Sequence, residues 1–434
     1  MADSEDLQIQ PGEISYKEET PLIEQQQSWT RMDKLLLVFS IVMNLGDGVE
    51  MYLPGVIAQQ VSCDIELSPL LEGILQCIQY FTLAVATVTS GLLADRFGTR
   101  ELTLFSLYLS VISTVVCAVV ADYATLLLSR ALIGFCVGLN LWIHNVIVTE
   151  LASSKEVLSN ISLIGSTMYT FGGVWVPVLG SILLDVVEWR VFILLTSLPF
   201  FLPPIFMLHF CLADTAGSQM QDKQNEATQV ETVAVPNLVT RLTKLCFYRA
   251  VLMFQGWLTI LLVPAMIQLI NIRKAGLKSD CHETATQGTE LFILALVTFA
   301  AIPGKLFGGF LQKRVSFRKS QVAVGILNVG IFAAMLIQEN LVVVAVTNFI
   351  VKFLYGISSM ATYYILIDKE FFGETKYASA SGIAYGMGLA GGVAGTATVA
   401  FAPTLHVTIT ALVLSALQIL LAISMTEVEK RITS

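Results

Sequence analysis

Long apolar stretches alternate with short polar segments along most of the chain. Each stretch runs for about 20 residues, the length that a helix needs to cross a hydrocarbon layer about 30 Å thick. We count twelve such stretches, so the sequence predicts twelve membrane-spanning helices and an all-α membrane fold. They lie near residues 33 to 57, 68 to 94, 101 to 120, 123 to 149, 157 to 184, 190 to 212, 244 to 270, 287 to 311, 319 to 337, 341 to 367, 377 to 400 and 404 to 425.

The twelve stretches fall into two groups of six, separated by the polar segment DTAGSQMQDKQNEATQVETVAVPN. A segment of this composition cannot bury enough apolar surface to fold and is typical of a flexible linker. The first thirty or so residues are also polar and acidic. We therefore expect a disordered cytosolic tail at 1–32, a six-helix bundle at 33–212, a cytosolic linker at 213–243, a second six-helix bundle at 244–425 and a cytosolic tail at 426–434.

Composition supports the membrane interpretation and excludes several kinds of partner. Of 434 residues, 55% are hydrophobic and 13% are charged, whereas soluble domains average about 25% charged residues. The net charge of −8 argues against nucleic-acid binding. The cysteines show no spacing typical of a metal or redox site, so we expect neither a metal nor another cofactor. Only Cys63 and Cys281 lie in polar loops, and a bridge between them stays open.

Lysine and arginine in the short loops predict the orientation of the chain. With the N-terminus inside, most of them lie on the cytosolic side, as the positive-inside rule requires. Both termini are therefore expected in the cytosol. Within the N-terminal tail, EETPLI fits the acidic dileucine pattern that clathrin adaptors recognise, with Glu18, Leu22 and Ile23 as its key residues. The alternative is a tail without a sorting role, so the expected location is either the plasma membrane or a vesicular or endolysosomal membrane.

The loop after the second stretch reads GLLADRFGTR, and its counterpart in the second half reads GFLQKRVSFR. Glycines allow helices to approach closely, an aspartate can sit at a helix end, and the arginines mark the cytosolic face. Glycine and basic positions recur at the same offsets, as duplication of a six-helix unit would produce. The candidate gating residues are Gly91, Asp95, Arg96, Gly98, Arg100, Lys313 and Arg314.

GLLADRFGTR resembles the signature loop of the major facilitator superfamily. The resemblance implies two pseudo-symmetric six-helix bundles around a central cavity that opens alternately to each side of the membrane, most often in a monomer. SRALIGFCVGLN and GDGVEMYLP are similar to segments of the synaptic-vesicle-two-related and organic ion transporters. The chain therefore resembles that branch of the superfamily.

The first predicted span carries Asn44, Asp47 and Glu50 at three-residue steps, which places them on one helical face. A charge at mid-membrane costs at least about 2.5 to 3.5 kcal/mol, so it is usually retained for a use. The carboxylates could bind a cationic group, or they could take up and release a proton. The alternative is that they hydrogen-bond neighbouring helices and only hold the bundle together.

The superfamily resemblance also implies that helices one, four, seven and ten surround the cavity. Some proton-coupled sugar transporters of the superfamily pair an aspartate of helix one with an arginine of helix four, which would be Asp47 and Arg130 here. Protonation of the aspartate would then free the arginine and bias the bundle toward another state. The alternative is a static salt bridge within the scaffold.

Other polar residues in these helices are candidates for contact with solute or proton. Lys352, near the middle of helix ten, could neutralise a carboxylate or contact an anion, and His144 could relay a proton or simply pack. Tyr355, Gln255 and Trp257 could stack on or hydrogen-bond a ligand, with core packing as the alternative. Leu389 stands where organic-anion members commonly carry arginine. This replacement favours cationic, zwitterionic or neutral solutes.

Two functions from different classes follow from these features. The first is a secondary transporter of a small organic solute, working by alternating access with proton coupling as a further expectation. The second is a vesicle or endosomal membrane protein that acts as a receptor or trafficking component without transporting anything. No nucleophile, base and orienting group converge at a readable spacing, so we do not expect an enzyme.

Overall fold

The computed structural model describes residues 29–212, 237–275, 284–335, 341–373, 377–401 and 404–425. The predicted sorting residues Glu18, Leu22 and Ile23 lie outside the described residues. So do most of the predicted linker and the last nine residues of the chain.

Fourteen α-helices, one π-helical turn and no strands occur within these described ranges, and all twelve predicted spans are helical where they are described. Eight of these spans are long and apolar enough to cross a membrane by length and composition. The helices are α1 (Arg31–Asp64), α2 (Pro69–Phe97), α3 (Thr99–Val119), α4 (Tyr123–Leu151), α5 (Lys155–Leu183), α6 (Trp189–Phe206), α7 (Leu238–Ala275), α8 (Thr284–Phe299), α9 (Ala301–Gln312), α10 (Phe317–Met335), α11 (Leu341–Leu366), α12 (Lys369–Phe372), α13 (Tyr377–Phe401) and α14 (Thr404–Ser424).

Short polar residues start the helices of the N-terminal half. Thr30 and Asp33 form a capping box at α1, in which the Thr30 side chain accepts from the Asp33 amide at 3.1 Å. Ser68, Asp122 and Ser154 cap α2, α4 and α5 in the same way, with side-chain oxygens that accept backbone N–H groups. Such caps satisfy amides that the helix itself leaves unpaired, so each loop ends at a defined residue.

Several spans are interrupted where the sequence breaks helical hydrogen bonding. Proline lies inside α1 at Pro54 and inside α5 at Pro177. Three prolines within α6 precede a π-helical turn at Met207–Cys211. The eighth span is divided at Ala300 into α8 and α9. Proline removes a backbone donor and kinks a helix, which lets these spans bend around the centre of the molecule.

The helices form two halves that pack face to face. The N-terminal half comprises α1 to α6, and the C-terminal half comprises α7 to α14. The closest contacts between them join α2 to α13 at one end of the bundle and α5 to α8 at the other, while α9 meets α5 at the level of Ser166. We name these the Asp95 end and the Asp64 end, after residues located there. The arrangement is the two-bundle fold that the sequence predicts.

Glycines let the helix backbones touch within and between the halves. A Cβ atom at Gly48 of α1 would overlap the carbonyl oxygen of Tyr169 in α5. At the Asp95 end, a Cβ atom at Gly91 of α2 would overlap the backbone of Ala378 in α13. Small residues serve this purpose in membrane bundles because lipid offers no hydrophobic drive for helix association.

The cysteines mostly behave as small apolar residues. Cys63, in the last turn of α1, is disulfide-bonded, and Cys281 lies outside the described residues. The free cysteines of the described part of the chain are Cys77, Cys117, Cys136, Cys211 and Cys246.

The same substitution at two glycines tests the close packing of α1 on α5. Gly48→Ala forces a methyl group into the backbone of Tyr169, and overpacking of this kind costs about 1–3 kcal/mol. We expect a lower apparent melting temperature in detergent. Gly330→Ala is the control, because a Cβ atom there meets nothing within 4 Å and alanine favours helix by about 1 kcal/mol. If the two variants change the apparent melting temperature equally, the close contact between Gly48 and Tyr169 is contradicted.

Candidate functional site

A central cavity lies between the two halves and has a volume of about 30 Å³. This space holds on the order of one or two water molecules, so the halves are closed around it. Both halves contribute to its wall, mainly with aromatic and cationic side chains. The lining residues are Met51, Tyr52, Tyr80, Tyr169, Thr170, Trp257, Ala301, Lys305, Lys352, Tyr355 and Thr396.

Lys305 of α9 joins the two halves at this cavity. Its ammonium group donates to the backbone carbonyl of Ser166 in α5 and lies 5.3 Å from the ring centroid of Tyr169. The side chain is only 5% exposed. Among the described residues no carboxylate lies within ion-pair distance of it, so the charge is held by one carbonyl dipole and a ring face.

Lys352 of α11 also lines the cavity. It donates to the carbonyl of Gly256 in α7 at 2.5 Å and lies 5.3 Å from the centroid of Tyr355. It is 2% exposed, and in the described ranges it too has no carboxylate partner. An ammonium group has three donors, so each lysine has donors left to offer a ligand.

Aromatic side chains close the cavity toward the Asp64 end. Tyr80 of α2 meets Trp257 of α7 edge to face, with ring centroids 4.8 Å apart. The Tyr80 hydroxyl donates to the carbonyl of Met51 at 2.7 Å, which fixes the ring. Because Tyr80 and Trp257 belong to different halves, their contact separates only when the halves separate.

Asp47 lies inside the N-terminal half beside His144. One carboxylate oxygen lies 3.6 Å from His144 Nδ1. That nitrogen lies 2.7 Å from the carbonyl oxygen of Asn140, while Nε2 lies 3.0 Å from the Asn44 amide nitrogen. A carbonyl oxygen can only accept, so Nδ1 carries hydrogen, and Nε2 of the neutral ring accepts from Asn44. Asp47, 2% exposed, therefore faces a histidine that is already satisfied.

Glu50 and Arg130 form a second polar group, one turn of α1 nearer the Asp64 end. Gln79 lies between them: its amide donates to the Glu50 carbonyl at 2.9 Å, and its oxygen accepts from Arg130 at 3.4 Å. Both carboxylate oxygens of Glu50 and one terminal nitrogen of Arg130 are buried without a hydrogen-bond partner. Arg130 also lines a small cavity of about 10 Å³ between α1, α2 and α4.

The predicted pairing of Asp47 with Arg130 is not present within the described residues. Asp47 contacts His144, and Arg130 contacts Gln79. The glutamate, not the aspartate, is the carboxylate that interacts electrostatically with the arginine. The physical reason is register: Glu50 lies one helical turn farther along α1 and so reaches the level of Arg130.

Of the two candidates in helix α7, one lines the cavity and the other does not. The Gln255 amide donates to the Ser415 hydroxyl of α14 at 2.9 Å, so this side chain points away from the cavity. Trp257 lines the cavity, and the Gly256 carbonyl beside it accepts from Lys352. Tyr355 does line it, and its hydroxyl lies 3.1 Å from the Met253 sulfur.

At the Asp95 end, hydrogen bonds hold the halves together. The Ser379 hydroxyl of α13 donates to the Asp95 carboxylate. Deeper in the molecule, the Trp142 indole donates to Ser381 at 3.0 Å. The Tyr363 hydroxyl donates to Asn145 at 2.5 Å. These contacts close the path from the cavity to this end.

The remaining predicted gating residues lie near these contacts but do not all join the halves. Gly98 adopts a φ of 88° between α2 and α3, a conformation that favours glycine. Arg100 donates to the Leu208 carbonyl within its own half. The guanidinium groups of Arg96 and Arg314 lie over Phe97 and Phe310. Lys313 is exposed at the end of α9.

Two buried cations were missed by the sequence interpretation. They are Lys305, in AIPGKLFGG, and Arg249, which is 1% exposed in α7. Arg249 lies eleven residues into α7, so the sequence alone places it close to a membrane surface. Lys305 could have been found, because a lysine flanked on both sides by apolar residues within a span carries the same energetic cost as Asp47.

Comparison with known proteins relates this chain to membrane transporters. A sequence profile of the Major Facilitator Superfamily matches residues 36–396. The Multidrug resistance protein B homolog of Mycobacterium tuberculosis is 34% identical over 121 residues, which are 27% of this chain and 22% of that protein. The human Synaptic vesicle glycoprotein 2A is 26% identical over 168 residues, 36% of this chain and 22% of that protein. The matched segments thus span about a fifth of these relatives.

Among solved structures, the crystal structure of a D-xylose-proton symporter has a similar fold. Its TM-score is 0.66, and the alignment covers 92% of this chain and 99% of the other. The sequence identity is 14%, so the likeness concerns the fold alone.

Replacing His144 tests the polar group around Asp47. His144→Leu leaves an Asn44 amide proton without its partner and removes the histidine beside the buried Asp47, and a buried unpaired group costs about 1–3 kcal/mol. We expect a clear fall in the apparent melting temperature in detergent. His209→Leu is the control, since His209 is an exposed histidine that contacts Tyr108 at the surface. If His209→Leu lowers the apparent melting temperature as much as His144→Leu does, the effect does not come from the buried contacts of His144.

Proposed function

Because the chain belongs to the major facilitator superfamily, we propose that it is a secondary transporter that carries a small organic anion by alternating access. Its two halves would rock about the central cavity, exposing it to one side of the membrane and then to the other. The observation that carries this proposal is the pair of buried lysines, Lys305 and Lys352, on the cavity wall without carboxylate partners in the described structure.

The choice of an anion differs from the cationic, zwitterionic or neutral solute expected from the sequence. Three cations are buried in the C-terminal half, namely Arg249, Lys305 and Lys352, and no aspartate or glutamate of that half is buried among the described residues. Unpaired buried charges are costly unless a partner arrives. A carboxylate in the cavity would supply that partner, and the surrounding tyrosines and Trp257 suit an apolar or aromatic body.

Lys305 gives the solute a means of acting on the conformation. Its bond to the Ser166 carbonyl crosses from one half to the other. A carboxylate is a stronger acceptor for an ammonium group than a neutral carbonyl is. An arriving anion would therefore draw Lys305 from Ser166 and weaken the closed contact between α9 and α5. A ligand shifts an equilibrium only through such a difference in affinity between states.

Proton coupling is placed in the N-terminal half in this proposal. Asp47 and Glu50 are buried there with carboxylate oxygens that lack hydrogen-bond donors in the described structure. Proton uptake by such a group removes the cost of an unpaired charge. Asp47 is the first candidate because His144 and Asn44 line the same site, and Glu50 with Arg130 is the second. Gly91 and Asp95 serve the gate at the Asp95 end.

The cellular setting follows from the sequence and stays a proposal. The bilayer is the medium, both termini face the cytosol, and the protein acts as a monomer. The membrane is that of the cell surface or of a vesicular or endolysosomal compartment. Capture by a clathrin adaptor through Glu18, Leu22 and Ile23 is the route proposed for sorting.

A matched set of three ligands tests the charge preference of the cavity. Benzoate, benzyl alcohol and benzylamine share a ring and differ in charge. We expect benzoate alone to raise the apparent melting temperature of the purified protein, since a ligand that binds the native state stabilises it. Lys305→Met and Lys352→Met should each weaken benzoate binding by about tenfold or more, because a hydrogen bond to a charged group contributes about 1.5–3 kcal/mol.

Lys319→Met is the control for these variants, since this lysine is exposed and far from the cavity. It should leave benzoate binding unchanged. Stabilisation by benzylamine instead of benzoate would refute the anion and restore a cationic solute. Binding without uptake into proteoliposomes would refute transport and favour a receptor.

Asp47→Asn tests the proposed proton site. The wild-type protein should take up benzoate faster into proteoliposomes when the pH gradient favours proton entry with the solute. Asp47→Asn should abolish this dependence while exchange of benzoate across the membrane continues, because exchange requires no net proton movement. Glu101→Gln removes an exposed carboxylate in α3 and should change neither rate. Full gradient dependence in Asp47→Asn would exclude Asp47 as the coupling site.

A further inference from the structure

Arg249 of α7 is a buried cation that no part of the proposed transport site uses. Its Nη1 donates to the Thr362 hydroxyl at 3.3 Å. Its guanidinium carbon lies 4.6 Å from the ring centroid of Tyr385. The Nε atom is buried and has no hydrogen-bond partner. A guanidinium has five N–H donors, so most of its capacity to bind an acceptor is unused.

A purely structural arginine would be expected to have a carboxylate nearby. Removing a charge from water without a partner costs several kcal/mol, and within the described ranges no carboxylate lies in ion-pair distance of Arg249. The side chains around it are instead tyrosines and a threonine. None of these side chains carries a negative charge, so the described part of the chain does not neutralise Arg249.

Arg249 is located between the cavity and the Asp95 end. It lies seven residues before Gly256, the residue whose carbonyl binds Lys352, which is about 10 Å along α7. Tyr355, a residue of the cavity wall, contacts the sulfur of Met253, which lies one turn of α7 beyond Arg249. An anion that left the lysines toward the Asp95 end would therefore meet Arg249 next.

Two stacked rings cover Arg249 in this conformation. Tyr385 of α13 stacks on Trp142 of α4, with centroids 5.0 Å apart and planes at 29°. Trp142 belongs to the other half and is hydrogen-bonded to Ser381. Opening of the Asp95 end must separate α4 from α13, because their contact joins the two halves. The same movement removes Trp142 from Tyr385 and uncovers the guanidinium.

We propose that Arg249 is a second anion-binding site, which receives the carboxylate of the solute after the Asp95 end opens. This inference rests on the proposed anion transport and extends it. The lysines bind the anion at the central cavity, and Arg249 binds it at the Asp95 end. A planar guanidinium forms two parallel hydrogen bonds to a carboxylate, so the site selects carboxylates over round anions such as chloride.

Sided transport measurements test this assignment. In oriented proteoliposomes, Arg249→Gln should raise the benzoate KM measured from the Asp95 end by about tenfold or more, the effect of losing a charged hydrogen bond. The KM measured from the Asp64 end should change by less than about threefold, a difference below 1 kcal/mol. Arg249→Lys, which keeps the charge, should recover part of the loss. Arg31→Gln removes an exposed arginine at the start of α1 and should have no effect.

If Arg249→Gln does not fold, chemical modification of Arg249 tests the same proposal. Phenylglyoxal modifies accessible arginines, and mass spectrometry identifies the peptide. Modification of Arg249 should be slow in the wild-type protein and fast in Trp142→Leu, and benzoate should protect Arg249 in that variant. Absence of protection would overturn the second site, as would equal KM changes on both sides.

The outcomes separate this inference from the proposal on which it rests. If the wild-type protein does not bind benzoate, or if both lysine variants bind it normally, the anion transport proposal fails. If the lysine variants lose benzoate binding while Arg249→Gln behaves as the wild-type protein does from both sides, only the second site fails.

Discussion

The constraint on which the rest of this structure depends is the cost of a charge inside a membrane bundle. A lysine or aspartate at mid-membrane costs several kcal/mol unless another group compensates for its lost water. Four cations and two carboxylates are buried in the central part of the described structure. None of the cations is matched there by a carboxylate within ion-pair distance. The arrangement is therefore costly in the closed state, and a ligand or proton can lower that cost.

The two halves distribute this charge unequally. The N-terminal half holds Asp47, Glu50, His144 and Arg130, all within a bundle that has its own small cavity near the arginine. The C-terminal half holds Lys305, Lys352 and Arg249. In the proposed mechanism, protons act on the first half and the anion acts on the second. The two are linked because Lys305 reaches across to the backbone of α5.

Hydropathy and loop composition were sufficient to predict the fold. Twelve apolar stretches became twelve helical spans, because the length of a span is set by the bilayer and not by particular contacts. The repeated loop located the contact of Asp95 and Gly91 with α13. The boundaries were less accurate at the eighth span, which is divided at Ala300 because Pro303 has no N–H to offer the Phe299 carbonyl.

The site was harder to predict, because it depends on which face of each helix meets which neighbour. Lys352 lies at the cavity as expected, since a lysine so far from either end of its span cannot reach water. Gln255 and Trp257 were both candidates in the seventh span, and only Trp257 lines the cavity. Pairing of Asp47 with Arg130 depends on the relative height of helices α1 and α4, which one sequence does not determine. In the structure Arg130 donates to Gln79 instead. Arg249 needs the tertiary structure, because only packing shows that it is buried.

The most direct test of the central claim is a double-mutant cycle on benzoate affinity, with Lys305→Met, Lys352→Met and the double variant. If both ammonium groups bind the same carboxylate, the losses will not add, and a coupling energy of about 0.5–3 kcal/mol is expected for residues that share a partner. Losses that add within about 0.3–0.5 kcal/mol, the range found for independent sites, would contradict a single anion site between the two lysines.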